Sequence, residues 1–385
     1  MPYYRALGNI PRKRHVVFRQ PNGELYPEEL MGAEGFSGPS SLLYHTRPPT
    51  RVLSTRSLRE ALPAEEPNRT LRMRHFHLAE IAESDSATLD RTPVLFNADA
   101  TLSLVRPRKT DDFFYRNGQA DEIVYVAEGS GTLESEFGAL PYRAGDYIVV
   151  PRGILHKFAL SDESCRMLVI ESASRVRFPS RYLTGEGQLM EHAPFCERDI
   201  RPPETLETRD ESGEFRVVVK QRNQLTDVTL DHHPLDVVGW DGCYYPFALS
   251  IHDFEPITGS LHQPPPVHQT FQADGFVVCS FVPRLFDFHP DAVPAPYNHA
   301  NVMSDEVLFY ANDEFMSRKG IGFGSLTLHP AGIPHGPHPG RAEASIGKSR
   351  TEELAVMMDT FRPLHVACAA VEFEDADYGR SWVTE

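Results

Sequence analysis

Three residues in the C-terminal part of the chain have the types and spacing of a metal site. They are His299 and Glu306 in NHANVMSDEVLFY (298–310) and His335 in GSLTLHPAGIPHGP (324–337). Two neutral imidazoles and one carboxylate on one face of an ion leave coordination positions open. Non-haem Fe(II) enzymes use that arrangement to bind a substrate and O2 side by side. Such an ion keeps a net positive charge, which lowers the pKa of a bound phenol. The same donors also suit zinc or manganese. Asp305 competes with Glu306 for the carboxylate place. Adjacent residues of a strand point to opposite faces, so only one of them can meet the histidines.

An internal repeat favours Glu306. YRNGQADEIVYVAEG (115–129) followed by RAGDYIVVPRGILHKF (143–158) matches HANVMSDEVLFYAND (299–313) followed by GFGSLTLHPAGIPHGP (322–337). Glu122 aligns with Glu306, each preceded by Asp and followed by a β-branched and aromatic run. His156 aligns with His335, and P-x-G-I-x-H runs through both without a gap. The Glu-to-His separations are 34 and 29, which fits one hairpin excursion of differing length. Similarity at this scale means duplication of a domain; solenoid repeats are far shorter. The halves differ at the first ligand. The N-terminal half has Tyr115 and Asn117 where the C-terminal half has His299 and Asn301. Only the second half keeps a full trio. Glu122 and His156 are expected to be a remnant pair, hydrogen-bonded to each other inside the first unit.

The elements that carry these residues are short. The chain has 385 residues, with 32 prolines and 26 glycines. That turn load favours many short strands over long helices. From about 99 to 172 and from about 234 to 375, β-rich runs alternate with Gly and Pro. Both stretches predict all-β barrels or sandwiches. The first hundred residues look irregular, with a possible helix in SLREALPAEE (57–66). The stretch RPPETLETRDESGEF (201–215) looks like a linker or exposed loop. The division expected is an N-terminal arm plus degenerate barrel over 1–175, a connecting segment over 176–233, and a metal-bearing barrel over 234–385.

Composition narrows the partners. A formal charge of −16 argues against nucleic acid or an anionic membrane, since either requires a basic face. No apolar run approaches the ~20 residues of a membrane helix. MPYYRALGNIPRKRH lacks the apolar core of a signal peptide. The five cysteines show no CxxC spacing, so neither a disulfide framework nor a cysteine zinc site is expected. A soluble, cytoplasmic protein follows.

The motif pair resembles that of the cupins, whose fold is a small antiparallel jelly-roll barrel. The C-terminal half further resembles homogentisate 1,2-dioxygenase. The likeness rests on PLDVVGWDGCYYPFAL (234–249), PYNHANVMSDE (296–306) and GSLTLHPAGIPHGP (324–337). The N-terminal half resembles that family mainly in position and in its duplicated barrel. The resemblance implies Fe(2+) held by His299, Glu306 and His335. It implies that O2 opens the ring of a small aromatic acid, homogentisate, giving maleylacetoacetate in tyrosine and phenylalanine breakdown. It puts His262 on an acid/base histidine acting at the ring hydroxyl, and His329 on a substrate-contacting histidine. It implies a homo-oligomer, a trimer or hexamer. Two departures concern the substrate: a substrate-contacting tyrosine of the family falls on Glu314 or Phe315, and one residue is inserted before Glu306. A related hydroquinone or gentisate-type acid, or another metal-dependent cupin reaction, is the alternative.

Overall fold

The computed structural model describes residues 3–295 and 297–383. It is built from strands, with one five-residue α-helix, Arg341–Ser345, and short 3-10 turns among the described residues. The duplicated barrel expected from the sequence is present. In the first barrel the strands form an eight-stranded and a seven-stranded sheet, whose residues contribute to one core. At the centre of the eight-stranded sheet, Asp121–Glu128 pairs antiparallel with Asp146–Val150 on one side and Arg166–Ser172 on the other. In the second barrel, Asp305–Tyr310 occupies the matching place, between Ser325–His329 and Ala355–Thr360.

Both central strands are apolar on alternate and intervening positions, which marks strands covered on two faces. Within Asp305–Tyr310, Val307 and Phe309 join the large core that the two barrels share. Leu308 and Tyr310 join a separate cluster inside the second barrel, with Cys279, Ala355 and Met357. The shared core crosses the junction through ring contacts of Tyr125 with Phe309 and of Tyr147 with Phe271. The Tyr147 hydroxyl also lies 2.9 Å from Ser280 Oγ.

Several expectations about the elements need correction. SLREALPAEE is not helical: Val52–Glu60 is a strand, hydrogen-bonded to Gln224–His232 at the edge of the seven-stranded sheet. Cross-strand pairing there overrides a weak local helix preference. The segment 176–233 is not merely a connection. Ser212–Gln221 and Gln224–His232 form a hairpin, and the first of these runs parallel to Phe114–Asn117. Phe247–Ser250 lies beyond the expected boundary at 233, yet it pairs with Asp146–Val150 of the first barrel. The N-terminal arm is woven through both barrels. Its strand Arg74–His77 closes the second barrel's sheet beside Ser325–His329. All five cysteines are free thiols; Cys165 and Cys279 are buried, and Cys196 and Cys368 are exposed. Among the described residues, no helix is long and apolar enough to cross a membrane.

Candidate metal centre

The strand parity explained above decides between the two adjacent acids. Glu306 shares the face of Leu308 and Tyr310 and points into the second barrel. Asp305 points the other way, and its carboxylate accepts the backbone N–H groups of Ala331 and Leu364, each at 2.8 Å. Asp121 does the same work in the first barrel, accepting from the N–H groups of Arg152 at 3.0 Å and Val176 at 2.9 Å. The Asp-Glu pair of the repeat therefore divides its labour: Asp staples two loops, and Glu faces the barrel interior.

Glu306 is buried and meets three histidines. His299 Nε2 lies 3.3 Å from its Oε2, His335 Nε2 lies 3.3 Å from its Oε1, and His329 Nδ1 lies 2.8 Å from Oε1. His299 and His335 sit on different loops but form an antiparallel bridge, with reciprocal N–H to carbonyl bonds of 2.7 and 2.8 Å. That bridge holds the two imidazoles side by side, ring centroids 4.3 Å apart. One donor atom each from His299, Glu306 and His335 falls within a 4.8 Å cluster. Two donors about 2.1 Å from one ion lie about 3.0–3.4 Å apart, so the 3.3 Å spacings suit a shared metal. His335 Nε2 is buried and makes no hydrogen bond, although Glu306 is near. A ligand nitrogen has that environment. Burial works to raise the Glu306 pKa, but His299, His329 and His335 outweigh it and hold the carboxyl well below the usual carboxylate range. The donor set and its spacing fit a divalent ion.

His329 is placed differently from the expectation that it touches substrate. It is fully buried, and both ring nitrogens are taken. Nδ1 donates to Glu306, and Nε2 accepts from the Tyr378 hydroxyl at 3.1 Å. Burial drives its pKa down to about 4 despite the nearby carboxylate, so the ring is neutral at pH 7. It orients Glu306 from behind. His262 is not among the clustered donors. It is exposed, with Nε2 3.2 Å from the Tyr297 hydroxyl, and the Tyr297 ring lies 6.0 Å from that of His299. The structure therefore places His262 at the rim, one tyrosine away from the cluster. Phe315 packs on Tyr310 inside the barrel.

Three residues of this neighbourhood were not found from the sequence. Tyr297 supplies a phenol at the rim. Tyr378 reaches His329 from the C-terminal segment, far from any motif. Asp359 is the cross-strand partner of Glu306, and burial followed by repulsion from Glu306 pushes its carboxyl up to about 7. Only the alternation of the strand Ala355–Thr360 could have pointed to Asp359, as a polar residue in an apolar run.

In the first barrel the same places hold no metal-type cluster among the described residues. The Arg91 guanidinium grips Glu122 with two hydrogen bonds, 2.7 and 2.9 Å, and lies 5.4 Å from the Tyr115 ring centre. Asn117 donates to Glu122 at 2.9 Å. His156 is not hydrogen-bonded to Glu122, contrary to the expectation; its Nδ1 faces the Ile154 carbonyl at 3.0 Å. A monovalent guanidinium thus sits on Glu122 as its counter-charge.

Fold and site together define a two-barrel protein of the cupin class with a candidate metal centre in its second barrel. A family model described as "Homogentisate 1,2-dioxygenase N-terminal" matches residues 100–251. That match spans the first barrel and takes in PLDVVGWDGCYYPFAL (234–249), one of the three segments that carry the resemblance. A "putative dioxygenase" of Saccharolobus solfataricus is 42% identical over 100% of both chains. Homogentisate 1,2-dioxygenase of Rhodopseudomonas palustris is 25% identical, covering 97% of this chain and 90% of its own. That of Bradyrhizobium diazoefficiens is 26% identical, covering 74% and 65%. The chain belongs to the homogentisate 1,2-dioxygenase family, as a divergent member.

Proposed function

We propose that this protein is an Fe(II)-dependent ring-cleaving dioxygenase acting on homogentisate, or on a closely related hydroquinone or gentisate-type acid. One observation carries the reading: His299, Glu306 and His335 converge on one point inside the barrel, with the spacing of ligands to a single ion. Bound there, Fe(II) would supply adjoining positions for a substrate oxygen and O2. Glu306 stays ionised to hold it, while His329 and Tyr378 fix the carboxylate's orientation. His299 is the more exposed of the two ligand histidines, which puts the substrate on its side of the cluster. Tyr297 and His262 stand on that same side. Their hydroxyl and imidazole, 3.2 Å apart, form a route by which a ring hydroxyl's proton can leave. The family's reaction on homogentisate would give maleylacetoacetate. We place the enzyme in the cytoplasm, consistent with five free thiols, and assign it a homo-oligomeric state, a trimer or hexamer.

The test is oxygen uptake by protein purified without oxygen and loaded with Fe(II), offered homogentisate, gentisate and hydroquinone in turn. Uptake with one of the acids, lost in His299→Ala together with the iron, is expected. Absence of uptake with all three, or an active and iron-loaded His299→Ala variant, would overturn the proposal. Uptake with gentisate alone would move the substrate while keeping the chemistry.

A further inference from the structure

A second group of donors lies outside the site described above. The strand Arg74–His77 reads RHFH. Residues two apart on a strand share a face, so His75 and His77 lie together, opposite the fully buried Phe76. Their ring centroids are 4.3 Å apart. Asp375, three hundred positions away, is brought to them by the backbone. Glu374 bridges to Phe76, and the Asp375 N–H donates to the His75 carbonyl at 2.8 Å. One donor atom from each of His75, His77 and Asp375 falls within a 4.8 Å cluster.

The details favour an ion over an ordinary hydrogen bond. His75 Nδ1 is 3.6 Å from Asp375 Oδ2, too far for a hydrogen bond but close to the spacing of about 3.4 Å between two tetrahedral ligands of one ion. His75 is almost fully buried, and its other nitrogen, Nε2, lies 2.9 Å from Ser325 Oγ. A polar partner on the far nitrogen is the usual device for aiming a ligand histidine. The other carboxylate oxygen of Asp375 is steadied by the Asp377 N–H at 2.9 Å. The Asp375 side chain is 36% exposed, so water can complete the coordination.

We propose that His75, His77 and Asp375 bind a divalent transition-metal ion of the zinc class, and that this ion fastens the C-terminal segment to the strand Arg74–His77. The consequence reaches the first centre. Tyr378 lies three residues beyond Asp375, its ring 5.2 Å from His75, and its hydroxyl meets His329 behind Glu306. An ion at Asp375 holds that hydroxyl in place.

Chelator-stripped protein is reloaded with Zn(II) and the bound metal counted by mass spectrometry. Two equivalents per chain are expected, falling to one in His77→Ala and in Asp375→Asn. Asp375→Asn keeps the shape of a half-exposed side chain and guards against a folding defect in the histidine variant. His299→Ala reads the first centre separately. If wild type holds one equivalent that His77→Ala or Asp375→Asn removes and His299→Ala does not, the second site stands and the first-centre reading fails. Stoichiometry unchanged from wild type in both His77→Ala and Asp375→Asn overturns the proposal.

Discussion

At the scale of single residues, the two neighbouring acids separate structural work from chemical work. Glu306→Gln keeps the shape and removes the charge that the surrounding histidines stabilise. It is expected to lose the metal, and the stripped protein is expected to lose stability near neutral pH as well, because the fold favours the ionised carboxyl. Asp305→Asn keeps one acceptor oxygen but gives up the charge that two backbone N–H groups address. It is expected to lose about 1–3 kcal/mol of stability while keeping its metal. Metal content and thermal unfolding, measured on both variants, check the division. Metal loss in Asp305→Asn alone would assign the ligand to the wrong acid.

At the scale of elements, the arm is held by a buried charge cluster. His45 ends the strand Ser37–His45; its Nδ1 is 2.7 Å from Asp236 and its Nε2 is 3.1 Å from Glu29. Burial works to lower its pKa, but Asp236 and Glu29 outweigh it and raise it from 6.5 to about 9. The folded state therefore binds this proton more tightly than the unfolded chain. The stabilisation is complete below about pH 6.5 and is lost as pH rises toward about 9. Glu136, which lines the same cavity, is raised by burial to about 7. It acts in the same direction, but its contribution is already spent between about pH 4.5 and 7. Between pH 7 and 9 the fall in thermal midpoint is thus expected to come largely from His45. A His45→Gln variant should show a shallower fall over that window. An equal slope in both proteins would remove His45 from the account.

At the scale of the molecule, one barrel keeps a metal-type cluster and its duplicate keeps an ion pair. Arg91 and Glu122 are both buried, with Glu171 3.8 Å from the guanidinium. Removing one member of such a pair strands the other charge. Arg91→Ala is expected to cost about 3–5 kcal/mol by denaturant unfolding, while metal binding in the second barrel persists. A neutral effect would mean that water or a neighbouring cation replaces the guanidinium. The barrels share one core, through Tyr125, Tyr147, Phe271 and Phe309. The destabilisation should therefore appear in a single transition rather than in a separate early one.

The clustering of the candidate trio was legible because its parts are local or repeated. His299 and Glu306 sit seven apart, and P-x-G-I-x-H recurs with its glycine turning in both halves at positive φ, 80° at Gly153 and 93° at Gly332. The all-β architecture was legible from the short β-rich runs cut by Gly and Pro. The strand period also showed that Asp305 and Glu306 must diverge. It could not show which face was the barrel interior, because that depends on what covers each face. The partners of His329 were hidden for a related reason. Tyr378 lies 49 positions away, and nothing local marks it. The arm's strands and Arg91 on Glu122 were likewise decided by contacts between separate segments, and the hairpin at 212–232, itself a local turn, is fixed by pairing with Phe114–Asn117 and Val52–Glu60. Local pattern sets which residues alternate and which turn. Only the closed barrels, which bury each strand against a partner of unrelated sequence position, determine what those residues finally meet.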